Sequence, residues 1–245
     1  MSRVDLVVYN EATGFMITSK GLCGRVFSAV DAEDQAWADA VKEGVFLPFE
    51  LVQDDSFVIR VVLDEPLSFQ EQDEWVGRTR HPLRIPDGTL AVIGGGLEYL
   101  GGEDMADFTR FLDVPPGDYL AELYTYFHGV NGSYCLNGVE PQEPIGAYFR
   151  RTRPGMPFPL WLSNECAGDP ESDPGHEAEW EAAKADYGTE QPTYVGFLLL
   201  LSPLGEEPEP ATTEDGWFEV GQGARRPDAC PLGVVAEHLV PADDE

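Results

Sequence analysis

Residues 108–127, FTRFLDVPPGDYLAELYTYF, decide the fold class. In the second part of the stretch Tyr119, Ala121, Leu123, Thr125 and Phe127 alternate with Leu120, Glu122, Tyr124 and Tyr126. A period of two, rich in aromatic residues, is the mark of a β-strand. Ahead of it stand Pro115-Pro116-Gly117-Asp118. Proline presets φ for the second position of a tight turn, and glycine accepts the positive φ of a type II turn. The pattern predicts a hairpin of two strands at the centre of a β-sheet.

Working outward, Val4–Asn10 and Thr13–Ser19 read as a first strand pair, and Leu22–Val30 as a third strand. Asp31 then caps a helix over residues 31–43. Asp34 suits its positive end, Lys42 its last turn, and Gly44 ends it. Ala36, Trp37, Ala40 and Val41 form its apolar stripe. Strands follow at Val45–Val52 and Phe57–Asp64. The second is almost unbroken apolar sequence, as in a strand covered on both faces, with Arg60 as its one charge. Leu67–Trp75 is ambiguous. Short strands at 83–85 and 89–93 flank a Pro86-Asp87-Gly88 turn, and Gly94-Gly95-Gly96 reads as a hinge or bulge.

Beyond residue 130 the chain is richer in loops. Ile145–Arg153 reads as a strand and His176–Tyr187 as a helix. Tyr194–Leu201 is a central strand, and 217–220 and 232–240 are strands or wrapping segments. The fold class expected is mostly β, an antiparallel β-sandwich with one or two short helices. Residues 1–130 would form its core. Residues 131–245 would form a β-rich extension packed on that core, or the two would make one continuous domain.

Charge narrows the function. The 245 residues carry 45 acids against 15 bases, a net charge of −30. Residues 1–130 hold 23 acids and nine bases, and residues 131–245 hold 22 and six, so the acidity is not confined to a tail. Bare nucleic acid and anionic membrane are poor partners for such a chain, and a basic protein is a good one. The N-terminal MSRVDLVVYNEATG places charge inside its apolar run and does not read as a signal peptide. The expected location is the cytoplasm of a bacterium. The four cysteines, at 23, 135, 166 and 230, are far apart and read as free thiols.

No cofactor or metal motif is present. His176-Glu177-Ala178-Glu179-Trp180 opens like a zinc-binding helix, but Trp180 stands where the second histidine belongs. Asp169, Glu171 and Asp173 space carboxylates like a calcium loop, yet Pro174 and Trp180 replace its glycine and glutamate. Arg150, Arg151 and Arg153 form a basic knot suited to a phosphate or carboxylate, or to an internal ion-pair network.

The Trp37 helix, the Gly44-Val45-Phe46 entry strand, the apolar strand at 57–64, Pro82-Leu83 and Leu112-Asp113-Val114-Pro115-Pro116-Gly117-Asp118-Tyr119 occur in this order. Residues 1–127 thereby resemble the small acidic β-sandwich proteins related to competence protein J, the inhibitor of a competence nuclease. The resemblance implies an immunity protein that neutralises a basic toxin or nuclease by occluding its active site. The candidate contact residues are Asp31, Glu33, Asp34, Asp39 and Glu43 on the helix, and Glu98, Glu103, Asp104 and Asp107 before the central turn. The alternatives are a ligand-binding β-protein or enzyme with its site near His128 and Arg150–Arg153, and a mimic of DNA.

Overall fold

The computed structural model describes residues 2–30, 34–54, 56–95, 108–157, 159, 161–162, 192–205, 213 and 216–240. Ten strands build two five-stranded sheets. One holds, side by side, β1 (Arg3–Val8), β4 (Phe57–Leu63), β9 (Phe197–Pro203), β8 (Gly117–Tyr126) and β5 (Trp75–Ile85). The other holds β10 (Phe218–Glu219), β3 (Phe46–Glu50), β2 (Gly14–Ser19), β6 (Thr89–Gly94) and β7 (Thr109–Asp113). The fold is thus a mostly-β sandwich. Its sheets are mixed, because β4–β9 and β3–β10 pair in parallel while the other pairings are antiparallel.

The 108–127 stretch contains both expected strands, but they do not form a hairpin. β7 pairs with β6 in one sheet, and β8 pairs with β5 and β9 in the other. The PPGD segment is a corner between sheets. Gly117 starts β8 and is not among the glycines with positive φ. The Pro86-Asp87-Gly88 turn is a second corner, joining β5 to β6, and there Gly88 does take φ 77°. The two corners are fastened together by Val114 N–H on the Gly88 carbonyl, 2.9 Å. The first two strands behave likewise, since β1 pairs with β4 and β2 with β3 and β6.

The residues between the sheets explain the packing. Phe15 of β2 stacks on Phe49 of β3, with centroids 5.1 Å apart. It also meets Phe57 of β4 at 4.9 Å and Phe197 of β9 at 5.2 Å. Four rings from both sheets thereby share one contact, and aromatic pairs in such geometry add about 0.5–1.5 kcal/mol each beyond burial. The β9 strand, Phe-Leu-Leu-Leu-Leu-Ser-Pro, lies third in its sheet, as expected of a central strand. Its Leu199 and Leu201 enter the inter-sheet core, and Leu198 packs on the opposite face under Val234 and Ala236.

Two expected strands are helices, and one ambiguous stretch is resolved. Residues 22–30 are not a strand: a 3₁₀ turn, Lys20–Leu22, leads into helix α1 (Cys23–Val30). Cys23, Val26, Phe27 and Val30 recur at helical spacing, and that period outweighs the β-branched valines. The 31–43 helix is α2, described over Asp34–Lys42, with buried Trp37, Ala40 and Val41. Gly44 ends it in the left-handed region, φ 69°, as a helix C-terminus prefers. The ambiguous 67–75 stretch supplies α3 (Phe69–Glu74), opened by a capping box between Ser68 and Glu71. Helix α4 (Val130–Asn137) follows β8. Ile145–Thr152 is helix α5 rather than a strand, with Tyr148 and Phe149 buried. Among the described residues no helix is long and apolar enough to cross a membrane.

Gly94 ends β6 where a Cβ would collide with the Tyr9 carbonyl, so its role is close backbone approach. Residues 234–236 pair with 193–195, and the last described residues, 238–240, run along the outer edge of β1. Asp5 N–H donates to His238 O at 2.9 Å and Val240 N–H to Asp5 O at 3.1 Å. That contact covers a sheet edge that would otherwise offer unpaired backbone groups.

Candidate binding cleft and acidic surface

Two of the nine acids expected to contact a partner have described side chains. Asp39 is exposed and accepts from Gln35 Nε2 at 2.8 Å. Glu43, also exposed, is ion-paired with Arg25 at 2.8 Å. Asp34 is the first residue of α2, and its side chain is not described. Asp31, Glu33, Glu98, Glu103, Asp104 and Asp107 lie outside the described residues, as do His176–Tyr187 and the Asp169–Gly175 stretch.

Most arginines are turned to internal partners. Arg60 of β4 is 4% exposed and is the centre of a buried network. Its guanidinium donates to both oxygens of Asp5 at 2.7 and 2.8 Å, to Glu71 Oε1 at 3.0 Å and to Val235 O at 2.9 Å. Arg3 adds two bonds to Glu71, at 3.0 and 3.1 Å. Burial would raise the carboxyl pKa of Asp5 and Glu71. For Asp5, Arg60 and the His238 and Glu237 N–H groups outweigh burial; for Glu71, the Ser68 N–H, Arg60 and Arg3 do so, and both groups stay lowered.

The basic knot also finds partners within the chain, though Arg151 does so at the surface. Arg151 grips Glu143 through two bonds, 2.9 and 2.6 Å, and Arg226 approaches the same carboxylate at 3.6 Å. The Arg151 hydrogen bond holds Glu143 below the usual carboxylate range. Arg153 donates to Cys230 O at 3.0 Å. Arg110 and Arg225 also donate to backbone carbonyls, and Arg78 pairs with Glu122.

A cleft of about 460 Å³ opens at the end of the first sheet where β4 and β9 begin and β8 finishes. Phe57 and Phe197, two rings of the inter-sheet core, reach its wall, and Gln53, Ser56, Asn131 and Thr193 supply neutral polar groups. His128 lies half-buried at its side, stacked on Tyr194 with centroids 4.7 Å apart and planes at 27°. The Tyr194 ring also rests on Gly233, φ 88°, where a Cβ would come within 2.7 Å of Cδ1. Asn131 is fixed by Val52 N–H, 2.8 Å from its Oδ1.

Among the described residues that line the cleft there is no Asp, Glu, Lys or Arg. Arg150, Arg151 and Arg153 do not line it, so the shared His128–arginine pocket expected as an alternative is not formed there. The arrangement can bind and stack. Among the described residues no group of three or more His, Cys, Asp and Glu side chains is placed to hold a metal ion. Sequence reasoning singled out His128 but missed the cleft, whose described walls come from four separate segments with no common motif.

No family model and no curated protein matches the chain. Two solved structures show a likeness. One, titled "Crocagin biosynthetic gene J", is 14% identical, with a TM-score of 0.41 over 82% of this chain and 96% of that one. The other is ComJ from Bacillus subtilis, titled an inhibitor of the DNA-degrading activity of NucA. It is 12% identical, with a TM-score of 0.31 over 51% of this chain and 82% of that one. At these scores neither likeness carries an argument about fold or function.

Proposed function

We propose that the protein is a non-catalytic acidic inhibitor that neutralises a basic protein, in the manner of an immunity protein against a toxin or nuclease. The observation that supports the reading most is where the positive charge goes. Arg3, Arg25, Arg60, Arg78, Arg151 and Arg226 are ion-paired within the fold, and Arg110, Arg153 and Arg225 donate to backbone carbonyls. Exposed acids such as Glu11, Glu50, Asp54, Asp64, Glu65, Asp113, Asp118 and Glu140 remain to set the outer potential. Such a surface speeds encounter with a basic partner and repels phosphate backbones. The resemblance of residues 1–127 to competence protein J-like inhibitors gives the partner its class. Occlusion follows when carboxylates occupy the places where the partner's Lys and Arg would hold substrate phosphates.

The test starts with a basic nuclease or toxin retained on the protein at low salt, followed by the purified pair. The expected result is a 1:1 complex without nuclease activity, whose association rate falls as salt rises. Replacing Asp39, Glu43, Glu50 and Asp54 by Ser should flatten that salt dependence. A saturated complex that retains full activity, or an association rate indifferent to salt, would refute the reading.

A further inference from the structure

His81 is a buried titratable group at the meeting point of β5, α2 and β10, and the charge reading leaves it unused. It lies on the face of β5 that Leu83 and Ile85 give to the inter-sheet core. Its Nε2 is 3.0 Å from the Val41 carbonyl in the last turn of α2. A carbonyl only accepts, so Nε2 carries the proton and Nδ1 is the bare nitrogen. Nδ1 is buried and without a hydrogen-bond partner among the described residues. The ring packs on Phe218 with centroids 5.1 Å apart, and Phe218 is fully buried.

Phe218 belongs to a short flap, residues 216–221, with glycine at both ends. Its strand, β10, has two residues, lies outermost in its sheet and pairs with β3 alone. At the first end the Gly216 carbonyl accepts from Trp37 Nε1 of α2 at 3.2 Å, and Trp217 packs on the same indole at 5.3 Å. A Cβ at Gly216 would come within 2.3 Å of the Trp37 ring, so only glycine allows this approach. Beyond the other end the chain is fastened to β5 by Arg78 N–H on Gln222 O, 3.0 Å, and Arg225 N–H on Val76 O, 2.9 Å. The flap thus joins α2, β3 and β5. A two-residue edge strand between glycines has few backbone bonds to hold it, which is the character of a local opening unit.

A proton on Nδ1 would put a cation and an unsatisfied donor into this contact, and both are costly when buried. The charged groups around it are turned elsewhere. On β5, Arg80 and Arg84 are exposed at the alternate positions, and β8 sets Ala121 opposite His81. After Val41, Lys42 and Glu43 are exposed, and Glu43 is paired with Arg25. On β10, Glu219 alternates with Phe218 and so points to the other face, and Glu50 of β3 is exposed. The negative end of α2 and the Phe218 ring favour an imidazolium. Burial outweighs the Val41 bond, and the pKa of His81 is lowered.

We infer that His81 is an acid-sensitive latch, whose protonation opens the flap of residues 216–221 and releases the end of α2 from β5. The latch does not rest on the proposed function. It would bear on it, because α2 carries Asp39 and Glu43 and β3 carries Glu50.

The test is hydrogen exchange on the isolated full chain at pH 7 and pH 5, corrected for the intrinsic effect of pH on exchange. An opening that returns His81 to its ordinary value gains at most about 25-fold in population between these pH values. Protection of residues 216–221 and of the 41–45 turn should fall by about 5- to 25-fold, and that of β4 and β9 by much less. His81→Asn should make flap protection independent of pH, and His81→Phe serves if that variant fails to fold. Glu219→Gln should keep the response. Unchanged flap protection at pH 5 overturns the latch. So does an equal loss in β4 and β9, which is unfolding of the whole chain, or a pH response that survives in the His81 variant or vanishes in Glu219→Gln.

Discussion

Arg60→Met tests the account of the buried charges. The substitution keeps the length of the side chain and removes the guanidinium that bonds Asp5, Glu71 and the Val235 carbonyl. Both carboxylates have side chains 0% exposed, so they are left without their main counter-charge in the interior. Removing one partner of a buried pair costs about 3–5 kcal/mol. Asp5 keeps the N–H groups of Glu237 and His238, and Glu71 keeps Arg3 and Ser68, which places the loss toward the lower half of that range. For a chain of this size the melting temperature should fall by roughly 10 °C. The pH dependence distinguishes charge from packing. In the parent protein both carboxyl groups are lowered, so their stabilisation is fully present above about pH 4–5, where they ionise when unfolded, and is lost as pH falls below that. In the variant the two carboxyls rise, and protonating them relieves the buried charge. Chemical denaturation at pH 7 and pH 4 should therefore show a large difference between parent and variant that narrows at pH 4. A difference below about 1 kcal/mol at pH 7, or one of equal size at both pH values, would refute the network as described.

Further outcomes follow from single contacts. His81 is 4% exposed, bonds the Val41 carbonyl through Nε2 at 3.0 Å and leaves Nδ1 buried without a partner. Burial lowers its pKa, so its contribution is present above about pH 6.5 and is lost as pH falls below that value. His81→Asn should cost stability at pH 7 but lose less than the parent between pH 7 and pH 5 in denaturant titrations. Glu74 has the opposite sign. Burial raises its carboxyl despite the Leu232 N–H, so Glu74→Gln should stabilise the fold at pH 7 and lose that advantage at pH 3, where the parent carboxyl is protonated in both states. Gly94→Ala should cost about 1–3 kcal/mol in the same assay through overlap with the Tyr9 carbonyl, whereas Gly24→Ala, which meets nothing within 4 Å, should not destabilise.

The strands were legible because burial on both faces leaves either alternating or unbroken apolar runs, and β4, β8 and β9 carry such runs. Their partners were not, because Pro86-Asp87-Gly88 and Pro115-Pro116-Gly117 have the same chemistry whether they close a hairpin or turn a corner between sheets. In this chain each of them turns a corner. The helix at α5 was hidden because Ile145, Tyr148 and Phe149 suit a strand by type and a helix only by spacing. The total acidity was legible, but not its placement, since nothing local marks Arg60 or Arg226 as turned inward.

Placement decides what the acidity can do. An arginine paired inside, such as Arg60 with Asp5 and Glu71, removes an equal number of acids from the surface but also removes the nearest positive group from the outer field. Among the described residues the exposed acids outnumber the exposed bases Lys20, Arg25, Lys42, Arg80, Arg84 and Arg151, and the resulting negative field acts at long range. A long-range field selects no orientation. The cleft at Phe57, His128 and Tyr194 is short-range and directional, and the exposed Val130 stands in its lining. Charge would therefore set the rate of encounter and the cleft the lifetime of the complex. Substitutions in the two regions should separate cleanly into changes of association and changes of dissociation.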